Sequence, residues 1–202
     1  MKDKIHNKTA IIILAAGNSS RLGRPKQLLL YKQSTLLKNT ISEALKVENS
    51  FVIIVTGANS EIIEKDLTNV PITICFNTNW ENGLSSSIVK GLSGLLHLNP
   101  DCKQCIFAVC DQPFVTSSIF EKLIKESHKT RKGIVTSAYS KTLGTPVLFH
   151  KKYFNELLEL KGQEGAKKLI KKYSDDVVAI AFEKGSIDID TEEDYFKLIS
   201  SG

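Results

Sequence analysis

Short, nearly unbroken apolar runs alternate along the chain with longer stretches whose apolar residues recur at helical spacing. The runs are rich in isoleucine and valine, as is typical of strands buried on both faces, and occupy residues 10–15, 51–56, 72–76, 106–110 and 134–138. The stretches between them begin near Ser, Thr or Asn, residues that cap helices, and predict helices over 35–46, 60–67, 85–98 and 117–128. This βαβα order predicts a three-layer α/β/α fold with a mostly parallel sheet.

The pattern loosens after residue 138. We expect two further strands over 144–149 and 177–182, helices over 151–160 and 164–172, and a terminal helix from Glu192. Because no repeat, low-complexity segment or linker interrupts the pattern, one α/β domain over residues 1–202 is the economical interpretation.

Composition excludes several classes of protein. A chain of 202 residues, 42% of them hydrophobic, can bury a core without disulfides or structural metals. Its apolar runs stay well short of the roughly 18 residues of a membrane span, and residues 1–9 lack the apolar segment of a secretory signal. We therefore expect a soluble, cytoplasmic protein with no membrane partner.

Charge and cysteine content add little. The net charge of +5 is spread along the chain without a nucleic-acid-binding motif, and the lysines of 167–172 alternate with apolar residues as on a solvated helix face, so no nucleic-acid partner is expected. Cys102 and Cys105 form a C-x-x-C, but no second pair completes a zinc site. We interpret these two residues, with Cys75 and Cys110, as incidental thiols.

The end of the first predicted strand carries the clearest chemistry. Ligands of open α/β sheets lie beyond the carboxyl ends of the strands, and here the chain continues as AAGNSSRLGRPK over residues 15–26. Gly17 and Gly23 can adopt positive φ, successive amides can form an anion-binding nest, and Arg21, Arg24 and Lys26 surround it with positive charge. The loop is not a Walker A motif, and a flexible surface loop is the alternative.

The string LAAGNSSRLGRPK, residues 14–26, resembles the signature loop of the MobA-like nucleotidyltransferases, most of all their molybdenum cofactor cytidylyltransferase branch. The resemblance implies a Rossmann-like, GT-A-like nucleotidyltransferase sheet and a loop that wraps the triphosphate of an NTP. It implies catalytic roles for Arg21 and Lys26 at the α-phosphate. The family members that use GTP usually have a second Gly at the position of Ala16, and alanine there is similar to the members that use CTP. The implied nucleotide-binding residues of this segment are Leu14, Ala15, Ala16, Gly17, Ser19, Arg21 and Lys26.

A second candidate segment precedes the helix predicted over 85–98. A Gly followed by three serines can offer amide and hydroxyl donors at a helix N-terminus, although a well-capped helix with Trp80 packed against the loop explains the same residues. The pattern N-x-x-W-x-x-G-x-x-x-S over 77–87 resembles the branch's nucleotide-binding segment, which implies that Gly83 and Ser87 lie near the nucleotide.

Acidic residues follow another strand. Asp111 ends a buried apolar run, where an ionised carboxylate needs a partner, so it is either a turn residue before Pro113 or a ligand of Mg²⁺. The D-Q-P string resembles the family's metal-binding strand end. The resemblance therefore implies that Asp111 is one ligand of the metal and that it also lies near the nucleotide.

Near the C-terminus, Asp188 and Asp190 lie on one face of an extended segment, because side chains alternate along it. Thr191 and Asp194 have the spacing of a capping box for the final helix. The D-I-D-T-x-E-D string resembles the family's closing motif, which implies that Asp190, with Asp188 as second choice, gives the metal its other carboxylate.

Two motifs bear on the acceptor. Residues 144–149, GTPVLF, resemble the branch's G-x-P segment near the acceptor, although a turn into a strand explains them equally well. Residues 162–166, GQEGA, resemble its G-D-x-G-A motif but carry Gln163 where Asp is usual, which puts the substrate in doubt.

Together these motifs suggest a Mg²⁺-dependent nucleotidyltransferase. The NTP, CTP by resemblance, would react with the phosphate of a molybdopterin-type cofactor and release pyrophosphate, and a molybdoenzyme or chaperone is an implied partner. A phosphate nucleophile is already anionic and needs no general base, which agrees with the absence of histidine from these motifs. The alternatives are a sugar-phosphate or phospho-alcohol nucleotidyltransferase, and a non-catalytic nucleotide- or cofactor-binding partner.

Overall fold

The computed structural model describes residues 8–163 and 165–200. Its main sheet has seven strands in the order β5-β4-β1-β6-β8-β7-β9, and β2 pairs with β3 in a small ribbon. Within the described residues β8 runs antiparallel to both of its neighbours, whereas the other pairs of the main sheet are parallel. The strands are β1 (Thr9–Leu14), β2 (Leu30–Tyr31), β3 (Ser34–Thr35), β4 (Ser50–Thr56), β5 (Thr73–Phe76), β6 (Gln104–Val109), β7 (Ile134–Tyr139), β8 (Thr142–His150) and β9 (Val177–Ala181).

Helices cover both faces of the sheet, which confirms the predicted three-layer α/β/α fold with a mostly parallel sheet. The side chains of β1 alternate between two cores: Ile11 and Ile13 join one, and Ile12 and Leu14 join the other. The helices are α1 (Leu36–Leu45), α2 (Ser60–Asp66), α3 (Leu84–Leu98), α4 (Ser117–Thr130), α5 (Phe154–Leu158), α6 (Lys167–Lys172) and α7 (Glu192–Ser200).

The prediction that the first five strands are buried on both faces is wrong for β5. The strand β5 lies at the edge of the sheet, where Ile74 and Phe76 are 36% and 46% exposed. Cys75, on its other face, packs against Gly94 of α3. An isoleucine-rich run thus forms an edge strand with one covered face, because burial is set by the neighbours a strand acquires.

The prediction of capped helix starts holds for α1, where the Thr35 hydroxyl accepts a hydrogen bond from the amide of Lys38 at 3.3 Å. Asn59 and Thr116 precede α2 and α4 but make no side-chain cap bond, and Gly83 precedes α3. At α4 the carboxylate of Glu43 from α1 accepts instead from the amide of Ser117, at 2.8 Å.

The C-terminal third is more broken than its sequence pattern predicts. Residues 151–158 form a 3-10 turn followed by the short α5, and α6 begins at Lys167 rather than at Glu164, which lies outside the described residues. The predicted strand over 144–149 is longer, because β7 and β8 form a hairpin whose turn residues Ser140 and Lys141 both have positive φ, 45° and 61°.

The terminal helix begins at Glu192 as predicted, and its capping box is confirmed. The Asp194 carboxylate accepts from the amide of Thr191 at 2.9 Å, and the Thr191 hydroxyl accepts from the amide of Asp194 at 3.2 Å. Among the described helices, none combines the length and apolar character that crossing a bilayer requires.

Candidate active site

The loop that follows β1, residues 15–26, lies at the carboxyl end of an interior strand, and we call it the phosphate loop after the role that its sequence predicts. Its turn is made by Ser19 and Gly23, with φ of 55° and 74°, whereas Gly17 does not have positive φ, so that part of the prediction was wrong. A Cβ at Gly17 would meet no atom within 4 Å, so its backbone faces open space. Within the described residues, the N–H groups of Ala16, Gly17 and Asn18 meet no protein acceptor, which leaves them available to an anion.

A buried side chain that sequence reasoning missed holds this loop in place. The amide nitrogen of Gln27, a residue only 1% exposed, donates to the carbonyl oxygens of Ala15 and Gly17 at 2.8 and 2.9 Å. The hydroxyl of Ser19 accepts from the amide of Lys26 at 3.0 Å and closes the turn. With two carbonyls directed toward Gln27, the amides between them are directed away from the core.

Replacing Gln27 with methionine, which is of similar volume, is therefore expected to weaken nucleotide binding. The carbonyls of Ala15, which is buried, and of Gly17 lose their donor, so we expect a destabilisation of about 2 kcal/mol and an increase in the KM for NTP. The matched control is Gln104→Met, which removes a buried amide that donates to the Thr9 hydroxyl at the opposite end of β1. Thermal unfolding and KM measured together check this prediction: an equal rise in KM in both variants would contradict it.

The C-terminal segment reaches the site along the end of β6. The amide of Ile189 donates to the carbonyl oxygen of Asp111 at 3.0 Å, and the Ile189 side chain is fully buried. It packs in a small cluster that joins the C-terminal region to the segment after the phosphate loop. Ile189 thus anchors the two aspartates beside it next to Asp111.

One ammonium group joins the phosphate loop to the carboxylate of Asp111, at the end of β6, and to that of Asp190, in a segment that the structure shows to be irregular rather than a strand. The Nζ atom of Lys26 lies 2.7 Å from Oδ2 of Asp111 and 2.6 Å from Oδ1 of Asp190. The Arg21 guanidinium, on the exposed side, lies 2.5 Å from Oδ2 of Asp190. The structure therefore brings together Arg21, Lys26, Asp111 and Asp190, which come from three distant parts of the sequence.

Burial and charge act in opposite directions in this cluster. Burial disfavours the Lys26 ammonium, but the Asp111 and Asp190 carboxylates outweigh it and raise the Lys26 pKa. Burial likewise opposes the ionised form of Asp190, yet hydrogen bonding to Lys26 and the charges of Lys26 and Arg21 hold its pKa below the usual range. The bridge therefore persists at neutral pH and is lost as the pH falls through the lowered pKa of Asp190.

Asp188 lies beside this bridge without joining it. Burial, followed by the charges of Asp111 and Asp190, raises its pKa. The geometry thus distinguishes the two aspartates of the C-terminal segment: Asp190 is ion-paired, and Asp188 is the carboxylate that the others repel.

We expect Asp188→Asn to stabilise the metal-free protein at pH 7, by less than about 1 kcal/mol because solvent screens the repulsion. The gain should vanish as the pH falls through the raised pKa of Asp188, since a proton then neutralises the parent side chain as well. Thermal unfolding at several pH values checks this, with Asp175→Asn as a control far from the site. A gain that does not depend on pH would contradict the electrostatic cause.

The third basic residue of the loop points elsewhere. The Arg24 guanidinium forms two bonds to the Glu192 carboxylate, at 2.8 and 2.9 Å, and lies over the Tyr195 ring. Arg24 thus docks α7 onto the loop, and the prediction that all three cations surround the loop's anion site is wrong for this residue.

A cleft of about 370 Å³ lies between this loop and the N-terminus of α3. It is of the size of small-molecule sites. Sequence reasoning proposed ten nucleotide-binding residues, of which Ser19 and Arg21 do not line the cleft. The eight that do are Leu14, Ala15, Ala16, Gly17, Lys26, Gly83, Ser87 and Asp111.

The α3 side of the cleft is built around Gly83, whose φ of 91° starts the helix. Ser87 is buried, and its hydroxyl accepts a hydrogen bond from the side-chain Nδ2 of Asn77 at 3.2 Å. Ser87 therefore ties the first turns of α3 to the segment before it and also lines the cleft. Trp80 lines the same cleft and packs closely against Gly57, where a Cβ would lie 2.7 Å from that of Trp80. The predicted packing of Trp80 against the loop is thus present, whereas α3 starts at Gly83 without a side-chain cap.

Gln163, the residue that departs from the family motif, lies in the cleft. Its amide covers Gly83 so closely that a Cβ there would fall 2.2 Å from Oε1 of Gln163. On the other side of Asp111, the Thr145 hydroxyl donates to the Gln112 side chain at 3.2 Å. The G-x-P and D-Q-P segments are therefore neighbours.

The donor set fits a hard divalent cation. Asp111 and Asp190 direct one oxygen each at a single point, which the Lys26 ammonium occupies, and carboxylate oxygens are preferred ligands of Mg²⁺. Across residues 8–163 and 165–200, however, no three His, Cys, Asp or Glu side chains are gathered as a ready metal site. The protein thus offers two carboxylates, and a bound phosphate would have to supply further ligands.

Three-layer α/β folds with a phosphate-binding loop after an interior strand of the sheet occur in nucleotidyltransferases. Comparison with known proteins agrees: the sequence model of the MobA-like NTP transferase domain matches residues 11–177. The chain belongs to this family and is a nucleotidyltransferase, as the resemblance of its loop predicted.

Individual relatives share 25–28% of their residues with this chain. Nicotine blue oxidoreductase of Paenarthrobacter nicotinovorans is 28% identical, over 93% of this chain and 95% of its own length. Molybdenum cofactor cytidylyltransferase of Escherichia coli K12 is 25% identical, over 91% and 92%. Among solved structures, Rv0371c of Mycobacterium tuberculosis superposes with a TM-score of 0.83 at 25% identity, covering 96% of this chain and 99% of that one. Rv0371c has also been solved in complex with manganese.

Proposed function

We propose that this protein transfers a cytidine monophosphate group from CTP to the terminal phosphate of a molybdopterin-type cofactor, with Mg²⁺ as the metal. The observation that carries the proposal is the convergence of Lys26, Asp111 and Asp190 at the mouth of the phosphate loop. An acceptor phosphate oxygen would attack the α-phosphorus in line, the bond to the bridging oxygen would break, and pyrophosphate would leave.

In this proposal the loop binds the triphosphate. The amides of Ala16, Gly17 and Asn18, held outward by Gln27, would donate to phosphate oxygens. Lys26 and Arg21 would neutralise charge that develops on the α-phosphate and the leaving pyrophosphate. Both side chains would then exchange their carboxylate partners for phosphate oxygens.

Asp111 and Asp190, with Asp188 in support, are the proposed metal ligands. When bound, Mg²⁺ would supply positive charge to the triphosphate and orient it for transfer. The protein's own contribution is to hold the two carboxylates a fixed distance apart, because Ile189 is hydrogen-bonded to the backbone of Asp111.

Two features support CTP and the acceptor. Ala16 replaces the second glycine of the GTP users, and the curated relatives include a cytidylyltransferase of the molybdenum cofactor. A molybdoenzyme or its chaperone would receive the product.

We also propose a cytoplasmic location, because the four cysteines are free thiols, as is usual in a reducing compartment.

The test is pyrophosphate release with purified protein, Mg²⁺, each of the four NTPs in turn, and molybdopterin-type cofactor. CTP with this acceptor should give the highest kcat/KM. Release with CTP and another phosphorylated acceptor, such as a sugar phosphate, would preserve the transferase and overturn the acceptor. That alternative stays open because Gln163 stands where the family motif usually has Asp.

A second arm addresses the relative named as an oxidoreductase. Reduced nicotinamide cofactor and a dye acceptor are added without any NTP. Dye reduction together with no pyrophosphate release from any NTP would overturn the proposed reaction.

A further inference from the structure

The end of the molecule opposite the cleft carries a second concave site. A pocket of about 600 Å³ lies at the amino-terminal ends of β1 and β6, beside the end of β8 and the C-terminus of α4. Since β1 spans six residues at about 3.3 Å each, this pocket lies roughly 17 Å from the phosphate loop. We call it the basic pocket, because its walls include Lys8, Lys103, Arg131, Lys132, His150 and Lys152.

The cations of the catalytic cluster are paired with carboxylates, whereas the described residues offer no such partner to two cations of the basic pocket, Lys103 and Arg131. Lys152 pairs with Asp176 at 2.7 Å, and Lys132 donates to a main-chain carbonyl. Within the described residues, no carboxylate forms an ion pair with Lys103 or Arg131.

The cations at this end lie close enough together to perturb one another's pKa values. Hydrogen bonding to Lys103 and the charge of its ammonium lower the pKa of Lys151, the neighbour of His150 in the chain, against the opposing charge of Asp101. Burial, followed by the charges of Lys152 and Lys151, lowers the pKa of His150. Like charges held together in this way raise the free energy of the ligand-free protein, and a bound anion would relieve that cost.

Stabilisation of the α4 C-terminus is an alternative reason for basic residues here, since cations favour the negative end of a helix dipole. It accounts for His128, Arg131 and Lys132. It does not account for Lys103 or Lys152, which belong to the β6 and β8 ends of the pocket. Cations from three separate parts of the chain thus face one cavity.

We propose that the basic pocket is a second anion site, which binds a small ligand carrying several phosphate charges, away from the catalytic cleft. The guanidinium of Arg131 suits a phosphate by geometry, and the lysines add compact charge. The concave shape favours a compact ligand, because single-stranded nucleic acid requires an extended groove with stacking aromatics.

Titration with inorganic tripolyphosphate, followed by NMR of the histidine side chains, tests this. Among residues 8–163 and 165–200, no histidine lines the catalytic cleft, whereas His128 and His150 line the basic pocket, so the resonances of these two report this site. Both should shift saturably, and His97 on α3 should not. Unmoved resonances of His128 and His150 would overturn the proposal.

Matched double variants separate a site from general charge. Lys103→Gln with Arg131→Gln should weaken tripolyphosphate binding at least about tenfold, the scale of one lost charge-assisted hydrogen bond. Lys65→Gln with Lys122→Gln removes the same charge from exposed positions on α2 and α4 and should leave affinity unchanged. Equal weakening in both would overturn the proposal, as would tighter binding of a single-stranded oligonucleotide through Lys103 and Arg131.

Discussion

Replacing Lys26 with methionine is expected to lower kcat for nucleotidyl transfer by about 10²–10³-fold, the cost of losing one preorganised charge at a reacting group. The apolar stem is kept and the ammonium is lost, so Asp111 and Asp190 face each other without their cation. We also expect the metal-free protein to lose about 2 kcal/mol of stability, since breaking a partly buried ion pair leaves uncompensated charge.

Magnesium should act in the opposite direction on this variant. The ammonium lies where both carboxylates converge, so its removal should strengthen Mg²⁺ binding to the protein without nucleotide. Thermal unfolding with and without Mg²⁺ measures this: the shift on adding the metal should be larger for Lys26→Met than for the parent.

Lys38→Met is the matched control for both readouts. It breaks a lysine–aspartate pair of 2.6 Å with Asp66, away from the cleft, so it changes the net charge equally. Its kcat and its Mg²⁺ response should equal those of the parent. Transfer by Lys26→Met within a few-fold of the parent would contradict the role assigned to Lys26.

Asp111→Asn is expected to have the second large effect. The substitution keeps the shape of the side chain but removes the charge that pairs with Lys26 and that we propose to bind the metal. We expect kcat/KM to fall by at least about 100-fold, and the stabilisation by Mg²⁺ to be lost. Pyrophosphate release at several Mg²⁺ concentrations and thermal unfolding check both parts.

The control for this variant is Asp66→Asn, which removes one carboxylate from an ion pair with Lys38. Both substitutions leave a lysine without its full partner, but only Asp111 lies at the end of a central strand beside the cleft. A full Mg²⁺ response in Asp111→Asn would exclude this residue as a ligand, even if activity were low.

Much of the fold could be predicted from the sequence, because buried strands and amphipathic helices differ in period. The starts of α7 and β7 follow from local patterns, and the Thr191–Asp194 capping box depends on side chains three residues apart. Such features are decided by neighbours in the chain. The exposed edge of β5 could not be predicted, because a strand's burial depends on which helices and strands cover it.

The candidate site divides in the same way. The residue types of the phosphate loop, of Asp111 and of the C-terminal acidic segment were evident in the sequence. The strands before them place the loop and Asp111 at the carboxyl edge, whereas residues 187–190 follow no strand and are held there through the hydrogen bond of Ile189 to Asp111. Gln27 gave no such signal: its role comes from burial beneath Ala15 and Gly17 and from no spacing in the sequence. Positive φ at Ser19, in place of Gly17, also depends on how the loop closes.

By itself, the sequence determined the class of fold, the family and the candidate residues, because these depend on periodicity and on strings of adjacent residues. Only the tertiary structure decided the partners. Lys26 and Asp190 are 164 positions apart, yet their side chains meet because Ile189 is hydrogen-bonded to the end of β6. The basic pocket could not be predicted for the same reason. Positive charges are spread along the sequence, but electrostatic interaction depends on distance in space, and folding brings Lys103 and Arg131 to one cavity.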